Sequence, residues 1–265
     1  MMTLFVIVCV GTVNRVIPKS DTDKFLAASD VHLNVQKSYV YIGYDPHPGA
    51  KESMVGIHAA TYHEGMHVIV SQDTFHSHTP SDQMDAIFAM IRTLKDTYWV
   101  FSESIFVLCP EANTISHAKL VEECLYSSGQ ADLVERVCLM YEVKSDPSRP
   151  GLVTTKEVNQ CYQVRQLLQE NRLRYWTGFF TLNRQLGKTG MRNTFHDQMC
   201  NYRYEPVNAS ANKNVHAQGS KVVTTGKVSG GHDDLLDAAE ISALAKILFS
   251  SHNKKYAKFQ RNNDF

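Results

Sequence analysis

Tyr39-Val40-Tyr41-Ile42 is an almost unbroken apolar run inside Ser38–Tyr44. A strand that is apolar on both faces belongs at the centre of a sheet covered on both sides. The neighbouring sequence supplies partners for it. Met54–Ala60 and Met66–Ser71 read as two more strands, with His63-Glu64-Gly65 as the turn between them. The three predict an antiparallel meander.

Helices that would cover such a sheet follow. Pro80 and Ser81 open one, with Ser81 as its N-cap and Met84, Ile87, Phe88, Ile91 and Leu94 at helical spacing. Ile105–Cys109 is a short apolar strand ending at Pro110. A helix is expected from about Ser116 to Gly129, a strand over Val134–Val143, and a helix from Thr155 to about Asn171. Residues 172–200 show no clear period. Tyr202–Tyr204 and Lys221–Thr225 read as short strands around a polar, Asn-rich loop at 208–219. Asp234–Ser250 is the strongest helix, with Leu236, Ala239, Ala243, Ile247 and Leu248 on one side. The order predicts an α/β fold, a mixed sheet with helices on both faces.

A chain of 265 residues suits one α/β domain with trimmings. The expected division is a lead-in at 1–37, a domain at 38–250 and a polar tail at 251–265. The apolar run Thr3–Val10 has no Lys or Arg before it and no clean cleavage site after it, so it reads as a buried strand. It is far shorter than the roughly 20 residues of a membrane span. No membrane partner is therefore expected. The six cysteines include no Cys-x-x-Cys pair and suit buried thiols in a reducing compartment. Lys plus Arg equals Asp plus Glu at 27 each, which excludes a wholly basic nucleic-acid binder but not a local basic patch.

Three acidic positions stand out by where they sit. Asp45 closes the first strand of the meander, Glu111 lies just past the 105–109 strand, and Asp233 and Asp234 open the last helix. Ligand sites collect at strand ends in α/β sheets. Carboxylates gathered there suit a hard divalent cation. The plainer reading makes Asp233 an N-cap and the other two solvated loop acids. Lys51, Lys227 and His232 are candidate phosphate contacts. Arg165, Arg172, Arg174, Arg184, Lys188 and Arg192, interleaved with Tyr175 and Trp176, suit either a sequence-tolerant DNA track or a solvated helix face.

The three acidic segments together resemble the nuclease domain of the large terminase subunit of herpesviruses and tailed phages. Tyr39-Val40-Tyr41-Ile42-Gly43-Tyr44-Asp45-Pro46 is similar to its first motif. Glu111-Ala112-Asn113-Thr114 is similar to the second. Thr225-Gly226-Lys227 through Gly231-His232-Asp233-Asp234-Leu235 is similar to the third. The resemblance spans about 38–250, and Pro46-His47-Pro48-Gly49 departs from the mammalian herpesvirus pattern, pointing to a divergent lineage. It implies an RNase H-like fold with a mixed five-stranded sheet. It implies an endonuclease holding two Mg²⁺ or Mn²⁺ ions on Asp45, Glu111, Asp233 and Asp234, and cutting concatemeric double-stranded viral DNA in the host nucleus. It also implies an ATPase portion, other terminase subunits and the portal as partners. Gly187-Lys188-Thr189 is preceded by Leu182 where a nucleotide loop needs glycine, so the ATPase is not expected in this chain. Two other readings stay open: a resolvase- or integrase-type nuclease, and a non-catalytic scaffold.

Overall fold

The structure is a computed structural model. It describes residues 15–34, 36, 38–46, 54–77, 79–112, 123–124, 126–127, 137–139, 142–143, 162–206, 222–225 and 233–260. In chain order the elements are α1 (Lys19–Ala27), β1 (Tyr39–Asp45), β2 (Val55–His63), β3 (Met66–Phe75), α2 (Pro80–Thr97), β4 (Ile105–Ala112), β5 (Val137–Leu139) and β6 (Glu142–Val143). There follow α3 (Tyr162–Gln169), β7 (Leu173–Phe180), α4 (Gly187–Asn201), β8 (Arg203–Pro206), β9 (Val222–Thr225) and α5 (Asp234–Gln260).

The main sheet runs β5-β4-β1-β2-β3-β7, with β6 also on β4. β1, β2 and β3 are the expected antiparallel meander, while β4 lies parallel to β1 and β7 parallel to β3. Five strands of seven to ten residues make the mixed sheet. β5 and β6, of three and two residues, extend it beyond β4. β8 and β9 form a separate antiparallel pair.

β1 is central, as its apolar run demands, and its side chains alternate between two cores. Val40, Ile42 and Tyr44 join Val55, Ile57 and Ala59 under α2, which contributes Met84, Ile87, Phe88, Ile91 and Leu94. Tyr41 faces the other way, with Val107 and Cys109 of β4 and Ile241 and Ala245 of α5. Around the first half of α5, Leu235, Leu236, Ala239 and Ala243 share a third cluster with α1, α3, α4 and β7. Sheet and helices thus stack as helix, sheet, helix.

Several sequence expectations are corrected. The N-cap of α2 is Thr79 rather than Ser81: its side chain accepts the Asp82 N–H at 3.2 Å. Pro80 takes the first helical position, where its missing N–H costs nothing. The patternless stretch 172–200 contains β7 and α4. In β7, Tyr175 and Phe179 enter one core while Trp176 and Phe180 enter the other, so no simple alternation appears. The Trp176 ring lies 2.5 Å from where a Cβ on Gly178 would sit, so glycine is needed there. α4 contains the poor helix formers Gly190, Asn193 and Thr194. It holds through Met191, Phe195 and Met199, one stripe at four-residue spacing. Buried Tyr175 and Trp176 cannot stack on bases, which removes the aromatic part of the DNA-track reading. Two of its cations are engaged in structure. Arg192 grips Asp30 with two bonds of 3.0 and 2.7 Å and lies 4.2 Å from the Tyr175 ring centroid. Arg172 holds the Gly65 carbonyl and Glu170.

Residues 15–33 of the expected lead-in pack on this same unit. Val16, Ile17 and Phe25 are buried beside Tyr175 and Phe195. The Val31 N–H donates to the Tyr175 carbonyl at 2.7 Å, and Thr177 N–H donates to the Val31 carbonyl at 3.0 Å. The segment covers the outer edge of β7, which would otherwise offer unpaired backbone groups. At the other end, α5 runs on through Gln260, past Ser250. The apolar run Thr3–Val10, most of the helix expected at 116–129 and the start of that expected from Thr155 lie outside the described residues.

One buried acid ties α3 to α5. The Glu240 carboxylate accepts the N–H groups of Gln163 and Val164 at 3.0 and 2.9 Å. Burial raises its pKa to about 7, and the two N–H bonds offset only part of that. The folded state therefore holds a proton that the unfolded chain releases near pH 4.5. Stability from this group is fully present below pH 4.5 and is lost as pH rises through about 7. Glu240→Gln should flatten that slope. Urea midpoints at pH 5 and pH 8 check it: an unchanged difference between the two in the variant would refute the assignment.

Candidate metal centre

The register of the sheet decides where the acids meet. β1 and β4 are paired in parallel up to Tyr44↔Pro110, so Asp45 and Glu111 are the next residues on neighbouring strands. Adjacent strands lie about 4.8 Å apart. Asp45 is two steps beyond Gly43 and four beyond Tyr41, and Glu111 is two beyond Cys109. Period two puts both on the face covered by α5. Asp45 is also paired across to Gly56 of β2.

Gly56 links the sheet to the third acidic segment. A Cβ built there would lie 2.1 Å from the Asp234 carbonyl oxygen. A Cβ on Gly43 would lie 1.9 Å from the Ala238 carbonyl oxygen. The first turns of α5 therefore rest directly on two glycines, one beside Asp45 and one two residues before it. Any larger residue would push the helix, and with it Asp234, off the sheet.

Asp45, Glu111, Asp233 and Asp234 are 5%, 7%, 3% and 4% exposed, so the solvated-loop-acid reading is set aside. Asp233 and Asp234 sit where the positive end of the α5 dipole favours negative charge. The capping of the next two N–H groups falls to Gln198 of α4. Its side-chain oxygen accepts from both Leu235 and Leu236 at 3.0 Å. Gln198 is buried and carries no sequence signal, because its partner lies 37 residues away.

Asp237 is the acid that motif reading passed over. It is 2% exposed and one turn before Ile241, on the stripe that continues to Ala245. Ile241 packs with Cys109, so one turn back along α5 corresponds to Glu111 on β4. The i+3 spacing in Asp234-Leu235-Leu236-Asp237 was the available clue.

The donor set at this rim consists of carboxylate oxygens, which fit Mg²⁺ or Mn²⁺. Among the described residues, no three His, Cys, Asp or Glu side chains close on a single point as a finished ligand set. Lys51, Lys227 and His232 lie outside the described residues. Arg184 and Lys188 are exposed just beyond the end of β7, which runs parallel to β3 and toward this rim. Behind the rim, Asp73 of β3 accepts the Thr74 N–H, and burial raises its pKa to about 6.

A mixed sheet whose central strand ends in an acid, with a second acid beside it and a third at the start of the covering helix, defines an RNase H-like fold. Solved structures that share it include viral terminase nuclease domains. The human cytomegalovirus terminase nuclease domain aligns at a TM-score of 0.55 and 12% identity, over 86% of this chain and 94% of that one. The same domain, Mn soaked and inhibitor bound, aligns at 0.53 and 14%, over 86% and 93%. A further Mn-soaked form aligns at 0.50 and 12%, over 86% and 94%. No protein-family profile and no curated protein matches the sequence. Among the described residues, no helix is long and apolar enough to cross a membrane.

Proposed function

We propose that this chain is the divalent-metal-dependent DNA endonuclease of a viral DNA-packaging terminase, of a divergent herpesvirus lineage. One observation carries the proposal. Three acidic segments far apart in sequence are buried together at one rim of an RNase H-like sheet. Buried carboxylates brought near one another would repel, and a bound divalent cation would offset that repulsion. The Mn-soaked cytomegalovirus domains share the fold and support the reading.

Asp45, Glu111 and Asp234, with Asp233, would hold Mg²⁺ or Mn²⁺, two ions in the full reading. Bound there, the metal supplies an activated water and neutralises charge on the scissile phosphate. The chain's own residues do the rest. Register fixes the two strand acids side by side, Gly43 and Gly56 set the depth of α5, and Gln198 steadies its first turn. Arg184 and Lys188, with Lys51, Lys227 and His232, are the proposed backbone contacts to double-stranded DNA. The proposed substrate is concatemeric viral DNA in the host nucleus. The proposed partners are an ATPase portion, other terminase subunits and the portal. The proposed nuclease domain is 38–250, with the packed residues 15–33 as its brace.

Cleavage of supercoiled, linear and four-way-junction DNA, with Mn²⁺ and with a chelator, tests this. The expected result is Mn²⁺-dependent cutting of both plasmid forms, abolished by the chelator. Preference for the junction would turn the assignment toward a resolvase. Failure to take up Mn²⁺ in a calorimetric titration would turn it toward a scaffold.

A further inference from the structure

Residues 181–186 cross from the end of β7 to α4, and the last residues of β3 fasten them. Ser71 Oγ donates to the Phe180 carbonyl at 2.9 Å. The Asp73 carboxylate, 3% exposed, accepts the Thr74 N–H at 3.0 Å and the Thr181 hydroxyl at 3.5 Å. The N–H groups of Leu182 and Asn183 also favour its charged form. The Thr74 carbonyl accepts from Asn183 Nδ2 at 2.9 Å. Asn183 then shapes the loop itself. Its side-chain oxygen accepts the Gln185 and Leu186 N–H groups, each at 3.1 Å, and its carbonyl accepts the Gly187 N–H at 3.0 Å. Burying a carboxylate is costly, and these bonds offset only part of that cost.

What the loop carries is charge. Arg184 and Lys188 are exposed, and neither pairs with a carboxylate among the described residues. Lys188 stands in the first turn of α4, where the helix dipole disfavours a cation, and that turn has no acidic residue. Neither cation therefore serves the fold. Their place suits the rim. Thr74 pairs with Gly56 and Gly56 with Asp45, so the anchor of the loop is two strand spacings, about 10 Å, from the first acid. A DNA major groove alone is about 12 Å wide, so a duplex laid across the acids would pass over the loop. A loop already ordered before binding spares the complex that ordering cost.

We propose that Asp73 and Asn183 are positioning residues that pre-order this loop, so that Arg184 and Lys188 grip the DNA backbone beside the acids. They touch neither metal nor DNA and act through the two cations. The inference rests on the reading of the chain as a DNA nuclease, and adds how the substrate is held rather than how it is cut.

Two measurements on the whole chain test it: fluorescence polarisation of a labelled DNA duplex in chelator, and cleavage kinetics in Mn²⁺. Asp73→Asn keeps the volume but replaces one acceptor by an NH2 donor facing the N–H groups of the loop. It should weaken metal-free duplex binding at least fivefold and raise KM as much, with kcat and Mn²⁺ uptake within twofold of the parent. Asn183→Ala, at a half-buried position, should do the same and serves if Asp73→Asn fails to fold. Arg184→Gln with Lys188→Gln should lower the slope of log affinity against log salt by about two. In that background Asp73→Asn should change binding less than twofold, because effects that run through one another do not add. A merely structural aspartate would weaken binding equally in both backgrounds. That result, parental binding by both loop variants, or a fall in kcat at constant KM would each overturn the proposal. Absence of cleavage by the parent with this binding pattern intact would support the role of the loop and count against the nuclease reading alone.

Discussion

Asp45→Asn should lose about a thousandfold or more of Mn²⁺-dependent cleavage while its fold survives. The substitution keeps the volume of a side chain that is 5% exposed at the end of the central strand, so packing changes little. What it removes is the charge. Metal-supplied transition-state stabilisation is worth several kcal/mol, and each loss of about 1.4 kcal/mol is a tenfold loss in rate. Stability should move the other way. Asp45 shares its rim with Glu111 and Asp234, and removing one of several like charges relieves repulsion. The metal-free variant should therefore melt no lower than the parent, and Mn²⁺ should raise its melting temperature less, because a ligand stabilises in proportion to its hold on the native state. Glu111→Gln should behave alike. Cutting within tenfold of the parent by both variants would remove these residues from the site.

Gly56→Ala should lower stability and metal binding together. A Cβ at Gly56 would stand 2.1 Å from the carbonyl oxygen of Asp234 and 2.9 Å from the Leu235 nitrogen. Both are backbone atoms at the start of α5, so no side chain can rotate away. Overpacking of this kind costs about 1–3 kcal/mol, a fall of roughly 2–12 °C in a domain of this size. The helix start carries Asp233 and Asp234, so Mn²⁺ affinity should fall as well. Gly43→Ala meets Ala238 and Ser242 backbone atoms at 1.9 and 2.6 Å and should be the more damaging to folding. Gly190→Ala is the control. Its nearest neighbours are Leu186 side-chain atoms at 3.2 Å and beyond, and alanine is the better helix former. Thermal melts and Mn²⁺ titrations of the three variants decide the matter. A Gly56→Ala protein with parental melting and parental Mn²⁺ affinity would refute the close seating of α5.

The sequence carried much of the sheet because its signals are local. The double-faced apolar run at 39–42, the Glu64-Gly65 turn and the helical stripe after Pro80 each sit within a few residues. Two-residue and four-residue periods convert directly into strand and helix. β7 and α4 were hidden for the opposite reason. Arg174, Thr177 and Gly178 break the alternation in β7, and α4 contains weak helix formers and is held by a core that includes Phe25, Tyr175 and Phe179. Propensity is a weak prior, and packing overrides it. The arginines of 172–192 looked like a nucleic-acid track, yet Arg192 spends its charge on Asp30 and Arg172 on Glu170.

At the rim, the sequence by itself singled out the candidate acids, because Asp45 ends β1, Asp234 opens α5 and Glu111 follows the apolar run of β4. Only the tertiary structure decided that their segments lie at one rim. That depends on a one-residue register between β1 and β4, on a pairing of Asp45 with Gly56, and on two glycines that let α5 settle onto the sheet. It also chose Gln198 as the cap and buried Asp237 on the face of α5 that packs on β4. These are relations between segments tens of residues apart, fixed by the fit of side chains across the core. A local pattern reports which face a residue takes, but only the packed core fixes what stands opposite it.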